Sequence, residues 1–158
     1  SERGVDDVRL YLPRVASVLK NAAGPNVTLL GLTFFDPFVT MAQTHRVTLE
    51  QAEHDHTYFV QANQLATSIY RSHGFGVVNL AAAFGSDNWN LVQSGDYMIP
   101  SNVVHACQLT WECFAPPFGP DPHPTRAGYI VIADAIMRQM PPPWRYDALG
   151  WTPRLAIP

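Results

Sequence analysis

Two short, largely apolar runs constrain this chain more than anything else in it. Val27-Thr28-Leu29-Leu30-Gly31-Leu32-Thr33 follows the turn signal Gly24-Pro25-Asn26, and Gly76-Val77-Val78-Asn79-Leu80 follows the helix-stop signal His73-Gly74. The first is largely apolar and the second equally short. Both read as buried strands, the pattern of a parallel sheet. A helical segment precedes each run. Asp6 to Ala22 carries apolar residues at Val8, Tyr11, Leu12, Val15, Val18, Leu19 and Ala22, with Pro13 expected to kink or restart the helix. Thr48-Leu49-Glu50-Gln51 fits a capping box that opens a second helix running to about Ser72. Its inward positions are Ala52, His56, Phe59, Asn63, Ala66, Ile69 and Tyr70.

From Ala81 to Pro120 the sequence reads mostly as loop, with one helical turn expected around Asn102 to Cys107. A last helix is predicted from Thr125 to Met140, with Tyr129, Ile130, Ala133, Ile136, Met137 and Met140 facing inward and Asp134 paired with Arg138 outside. Pro141-Pro142-Pro143 ends it, and an extended tail follows to Pro158. The order helix, strand, helix, strand, loop, helix implies an α/β layer architecture with a parallel sheet. Two strands are too few for a doubly wound sheet, which has about five or six.

Composition narrows the class. With 158 residues, 47% hydrophobic and 15% charged, the chain reads as one soluble globular domain. A net charge of −3 argues against a nucleic-acid partner, which requires a basic face. No apolar run approaches the roughly 18–20 residues needed for a membrane span. The first residues are polar and do not read as a signal peptide, which leaves export open for a processed chain. Asn26-Val27-Thr28 is a glycosylation sequon, set aside because it falls at a predicted strand start.

Candidate chemistry lies in three places. Cys107 and Cys113, in CQLTWEC, either close a small disulfide loop, which implies an oxidising compartment, or remain as free buried thiols. The spacing of His54 and His56 on a helix puts them roughly 200° apart, so a shared metal is disfavoured; a surface role for His54 and a satisfied packing role for His56 are expected. Asp36, in FFDPF, is expected to brace a turn. The third place is Asp121-Pro122-His123-Pro124. Both Asp121 and His123 precede prolines and are pushed toward extended geometry, where positions i and i+2 project to the same side. The carboxylate can then orient the imidazole and leave its other nitrogen free as a general base; the bland reading is an Asp that braces a proline-rich turn. Pro124 suits the first turn of the helix that follows. Trp111, Phe114 and Phe118 either line an acyl pocket or pack around the cysteine loop.

DPHPTRAGYIVIADAI resembles the last motif block of the SGNH (GDSL-type) esterases and lipases, in which an Asp and a His from one short motif complete a catalytic triad. FFDPF after a buried strand, NLAAAFG at residues 79–85 and CQLTWEC are similar to blocks of secreted actinobacterial members. Together these cover most of Val5 to Met140. Many members have two residues between Asp and His; this chain has only Pro122. The resemblance implies a three-layer, flavodoxin-like α/β fold with a parallel sheet. Asp121 would be the orienting acid and His123 the base.

The family's nucleophile sits in a Gly-Asp-Ser block near the amino terminus, and neither that block nor the family's Gly-x-Asn-Asp block is present. The serines are Ser1, Ser17, Ser68, Ser72, Ser86, Ser94 and Ser101, and Gly85-Ser86-Asp87-Asn88 reads as a plain turn. By this resemblance, residues 1–143 correspond to the carboxyl-terminal portion of such a hydrolase, with residues 144–158 as a tail. The amino-terminal strands and Gly-Asp-Ser would come from a partner segment. An ester substrate, no metal or organic cofactor, and a secreted or cell-envelope location are implied. The competing expectation is a non-catalytic fragment or accessory subunit that binds a protein or a glycan.

Overall fold

The computed structural model describes residues 1–43 and 46–141; the predicted tail from 144 to 158 lies outside them. Helix α1 runs Glu2–Ala23 without interruption at Pro13. Proline costs an interior helix about 3 kcal/mol. Here tertiary packing offsets that cost, since Val8, Leu12 and Ala16 lie in one apolar cluster with Leu65, Ile69 and Phe75. Gly24, at φ 73°, ends the helix.

Strand β1 is Leu30–Leu32 and strand β2 is Gly76–Val78, paired in parallel with Gly31 opposite Val77. Mixed α/β architecture with a small parallel sheet is therefore what the chain forms. Both strands are shorter than the apolar runs. Asn26, Val27 and Thr28 are exposed and precede β1, so the reason for setting the sequon aside does not hold. At the other end the Thr33 N–H still donates to the Val78 carbonyl at 3.0 Å, while its Oγ1 accepts the Leu80 N–H at 2.9 Å.

Helix α3, Leu49–Ser72, starts and stops as its sequence predicts: Thr48 Oγ1 accepts the Gln51 N–H at 3.1 Å, and His73 with Gly74 (φ 75°) closes it. It lies directly over Gly31, where a β-carbon would fall 2.3 Å from the Tyr70 ring. Between β1 and α3, FFDPF forms a turn into a 3-10 turn at Pro37–Val39, followed by the short helix α2, Thr40–Gln43.

The segment from Ala81 to Pro120 differs most from expectation. It holds the end of α4 (Leu80–Ala83), an antiparallel hairpin of β3 (Leu91–Ser94) and β4 (Tyr97–Pro100), and a full helix α5 (Ser101–Leu109). The hairpin turns on Gly95-Asp96, with Gly95 at φ 61°, a two-residue loop that requires glycine's left-handed conformation.

Helix α6 spans Arg126–Met137 and is capped by Thr125, whose Oγ1 accepts the Gly128 N–H at 3.3 Å. Pro124 therefore precedes the cap rather than entering the first turn. The Asp134–Arg138 ion pair forms at 2.5 Å. The expected inward face is only partly covered: Ile136, Met137 and Met140 are half-buried, but Tyr129 is 56% and Ile130 40% exposed, Ala133 is exposed, and Gly128 is the buried residue of the helix. Backbone contact explains the position of α6, because a β-carbon on Gly128 would come 2.1 Å from the Leu109 carbonyl oxygen. No helix among the described residues is long and apolar enough to cross a membrane.

Candidate active site

The loop between α5 and α6 is built on a staple. Cys107 and Cys113 are disulfide-bonded, which settles the alternatives their spacing left open. Inside the staple, Thr110 Oγ1 donates to the Ala106 carbonyl at 2.7 Å, and buried Glu112 pairs with Arg46. The loop then holds the Asp-Pro-His segment by its backbone. Trp111 N–H donates to the His123 carbonyl at 3.0 Å, Asp121 N–H to the Trp111 carbonyl at 3.2 Å, and Thr125 N–H to the Leu109 carbonyl at 2.8 Å. Thr110 and Pro124 form an antiparallel bridge. Gly119 fits only as glycine, since a β-carbon would sit 2.4 Å from both the Trp111 and Phe114 carbonyl oxygens.

On this frame Asp121 and His123 meet. Nδ1 of His123 lies 2.5 Å from Asp121 Oδ1, and the His123 backbone N–H donates to the same oxygen at 2.8 Å. The geometry is an Asx turn across Pro122, which brings the side chains together by closing a local ring. The backbone hydrogen bond from His123, then the one from its side chain, holds the Asp121 carboxyl below its ordinary pKa of 3.8. An ionised carboxylate only accepts, so Nδ1 carries the proton. Nε2 is left free on a side chain that is 75% exposed. The arrangement can take a proton from an external hydroxyl and stabilise the resulting imidazolium.

None of the seven serines hydrogen-bonds His123 among the described residues. Ser86 is buried and its Oγ accepts the Asp36 N–H at 3.1 Å. Ser17 Oγ lies 3.1 Å from His73 Nε2, while His73 Nδ1 faces the Ile69 carbonyl at 2.8 Å. This pair ties α1 to the end of α3. A serine in the middle of a helix has no free backbone N–H beside it to hold an oxyanion, so the pair is structural.

A second cluster lies deeper. His56 is buried, with Nδ1 2.9 Å from Asp36 Oδ2 and Nε2 3.0 Å from Asp87 Oδ1, and the Trp89 ring stands edge-on at 5.4 Å. Asp36 Oδ1 also accepts the Phe38 N–H at 3.0 Å, so it braces the turn as expected and holds His56 as well. Burial of the ring works to lower the His56 pKa. The hydrogen bond and charge of Asp36, and then of Asp87, outweigh it and leave the pKa above 6.5. Both nitrogens face carboxylates, which only the doubly protonated ring satisfies. Asp87, within the turn Gly85-Ser86-Asp87-Asn88, carried no sequence signal for this contact, because nothing local connects it to residue 56. His54 is exposed against Tyr58, and no metal-binding group of His, Cys, Asp and Glu occurs among the described residues.

Compared with protein-family models, with curated proteins and with solved structures, the chain matches none. Fold and site together define the class that is shown: an α/β protein with a two-stranded parallel sheet, a disulfide-stapled loop and a surface Asp–His pair.

Proposed function

We propose that the chain supplies the acid–base half of a serine ester hydrolase of the SGNH type, with the nucleophilic serine and oxyanion donors coming from a complementing segment that carries Gly-Asp-Ser. One observation carries the reading: Asp121 holds Nδ1 of His123 and leaves Nε2 open to solvent. In this mechanism Nε2 takes the serine proton as the serine oxygen bonds to the ester carbonyl carbon. The same nitrogen returns the proton to the departing alcohol, leaving an acyl-serine. Water then repeats the cycle, giving its proton to Nε2 and releasing the acid. Asp121 stabilises the positive ring in both halves. No metal or organic cofactor enters the scheme.

The sheet supports a complementing segment. Leu29 O and Thr33 N bond toward β2, so parallel alternation turns the peptide groups of Leu30 and Leu32 to the open edge of β1. Beside that strand lies an apolar trough of about 400 Å³ lined by Leu12, Val15, Ala16 and Leu19 of α1 together with Leu30, Leu32 and Phe35. An unpaired edge next to an apolar trough is a template for strand addition, and the three-layer, flavodoxin-like sheet would be completed there. The disulfide supports a secreted or cell-envelope setting, where thiols oxidise.

The test is reconstitution. The chain is co-expressed with a Gly-Asp-Ser-bearing amino-terminal segment and assayed on p-nitrophenyl acetate, with His123→Ala alongside. Hydrolysis that is lost in His123→Ala supports the proposal. Activity that survives the substitution removes His123 from the mechanism. That no serine pairs with His123 among the described residues favours a second reading, a non-catalytic accessory subunit that binds a protein or a glycan. Stable assembly without hydrolysis would select it.

A further inference from the structure

The stapled loop that braces the dyad also gathers three aromatic rings. Trp111 lies 4.5 Å, centroid to centroid, from Phe114 and 6.4 Å from Phe118. Phe114 is 42% and Phe118 70% exposed, and Ala115, Pro116 and Pro117 between them are exposed as well. From Phe114 to Pro120 seven consecutive residues carry no polar side chain. An exposed loop of that composition holds its rings in water for no gain in folding, and concentrated apolar surface of this kind marks a binding site.

Two features decide what binds. The first is continuity with the dyad: Trp111 is hydrogen-bonded through its N–H to the His123 carbonyl and through its carbonyl to the Asp121 N–H. Through these two bonds the ring-bearing loop and the dyad share one backbone frame. The second is chemistry. The Phe114 and Phe118 rings are inclined to Trp111 by 56° and 33°, so they form an uneven apolar surface rather than a flat stacking platform. A sugar ring needs hydrogen-bonding side chains around its stacking face, and the segment has none. Of the loop's two acids, Glu112 is buried against Arg46 and Asp121 is engaged by His123.

We propose that Trp111, Phe114 and Phe118 form the acyl-binding surface of the site, selecting esters with medium-length aliphatic or aromatic acyl groups over acetyl esters. This assignment rests on the hydrolase reading for its role and on the ring geometry for its existence, and the two are tested separately. In the first arm the chain alone is titrated with sodium octanoate below its aggregation concentration and followed by two-dimensional NMR. Saturable shifts confined to residues 111–123, with affinity reduced roughly tenfold in Phe118→Ser, are expected; that is the effect of losing about 50 Å² of ring contact. Circular dichroism checks that the variant keeps its fold. In the second arm the reconstituted hydrolase is assayed on p-nitrophenyl octanoate and acetate, and the ratio of their kcat/KM values falls roughly tenfold in Phe118→Ser.

Octanoate binding at these residues without ester hydrolysis would uphold the surface and sink the hydrolase reading. Hydrolysis with an unaltered chain-length ratio and no octanoate shifts would overturn the surface and leave the hydrolase. Concentration-dependent self-association abolished by Phe118→Ser would assign the rings to a second copy of the chain, and also overturns the proposal.

Discussion

Replacing His56 by glutamine tests the buried cluster most directly. In the folded protein the ring bridges buried Asp36 and, on its other nitrogen, Asp87, whose side chain is 66% exposed. The two legs differ in worth. A hydrogen bond between charged, buried partners contributes about 2–3 kcal/mol, whereas the leg to an exposed carboxylate contributes under about 1 kcal/mol. His56→Gln therefore costs about 3 kcal/mol at pH 5.5, where the ring is charged and the Asp36 carboxylate loses its cation. The pH dependence follows from the direction of the shift. Because the folded pKa lies above 6.5, the stabilisation from protonation is complete below 6.5 and is lost as pH rises through the folded value. Its full size is about 1.4 kcal/mol for each unit of elevation.

The assay is urea unfolding of both proteins at pH 5.5 and pH 9, followed by tryptophan emission, with Trp89 beside the ring as a reporter. Taking the difference between the proteins cancels the other titrating groups. The gap between wild type and variant should narrow toward pH 9. A gap that stays constant, or widens with pH, would show that burial keeps the folded ring neutral and would refute the argument.

Other consequences can be measured independently. In the proposed hydrolase, once reconstituted, His123→Ala should lower kcat on the order of 10⁴-fold. Reducing the Cys107–Cys113 bridge, which closes a loop of sequence separation 6, should cost about 2 kcal/mol of stability; denaturant titrations with and without reductant measure it. Gly128→Ala drives a β-carbon onto the Leu109 carbonyl and should destabilise by about 1–3 kcal/mol. It should also move the His123 Nδ1 resonance, because α6 and the dyad loop share the α5 end as their support.

Helices α1 and α3, the two parallel strands, the N-cap at Thr48 and the side-chain pairing of Asp121 with His123 were legible because each is written within a few consecutive residues. The β3–β4 hairpin was not legible, because its strands Leu91–Ser94 and Tyr97–Pro100 are short and partly polar. Apolar periodicity misled at α6. It marks a face that wants a partner, and cannot say whether the partner is present; Tyr129 and Ile130 remain in water.

By itself, then, the sequence determined the local geometry: where α3 begins and ends, that the strands run parallel, and that a carboxylate two residues before a histidine can hold its ring. Tertiary structure alone decided the long-range pairings. His56 lies 20 residues from Asp36 and 31 from Asp87, and Glu112 lies 66 from Arg46. Backbone propensity acts over one or two turns of chain, whereas these contacts form only when packing brings distant segments within about 3 Å, where charge and hydrogen bonding take effect.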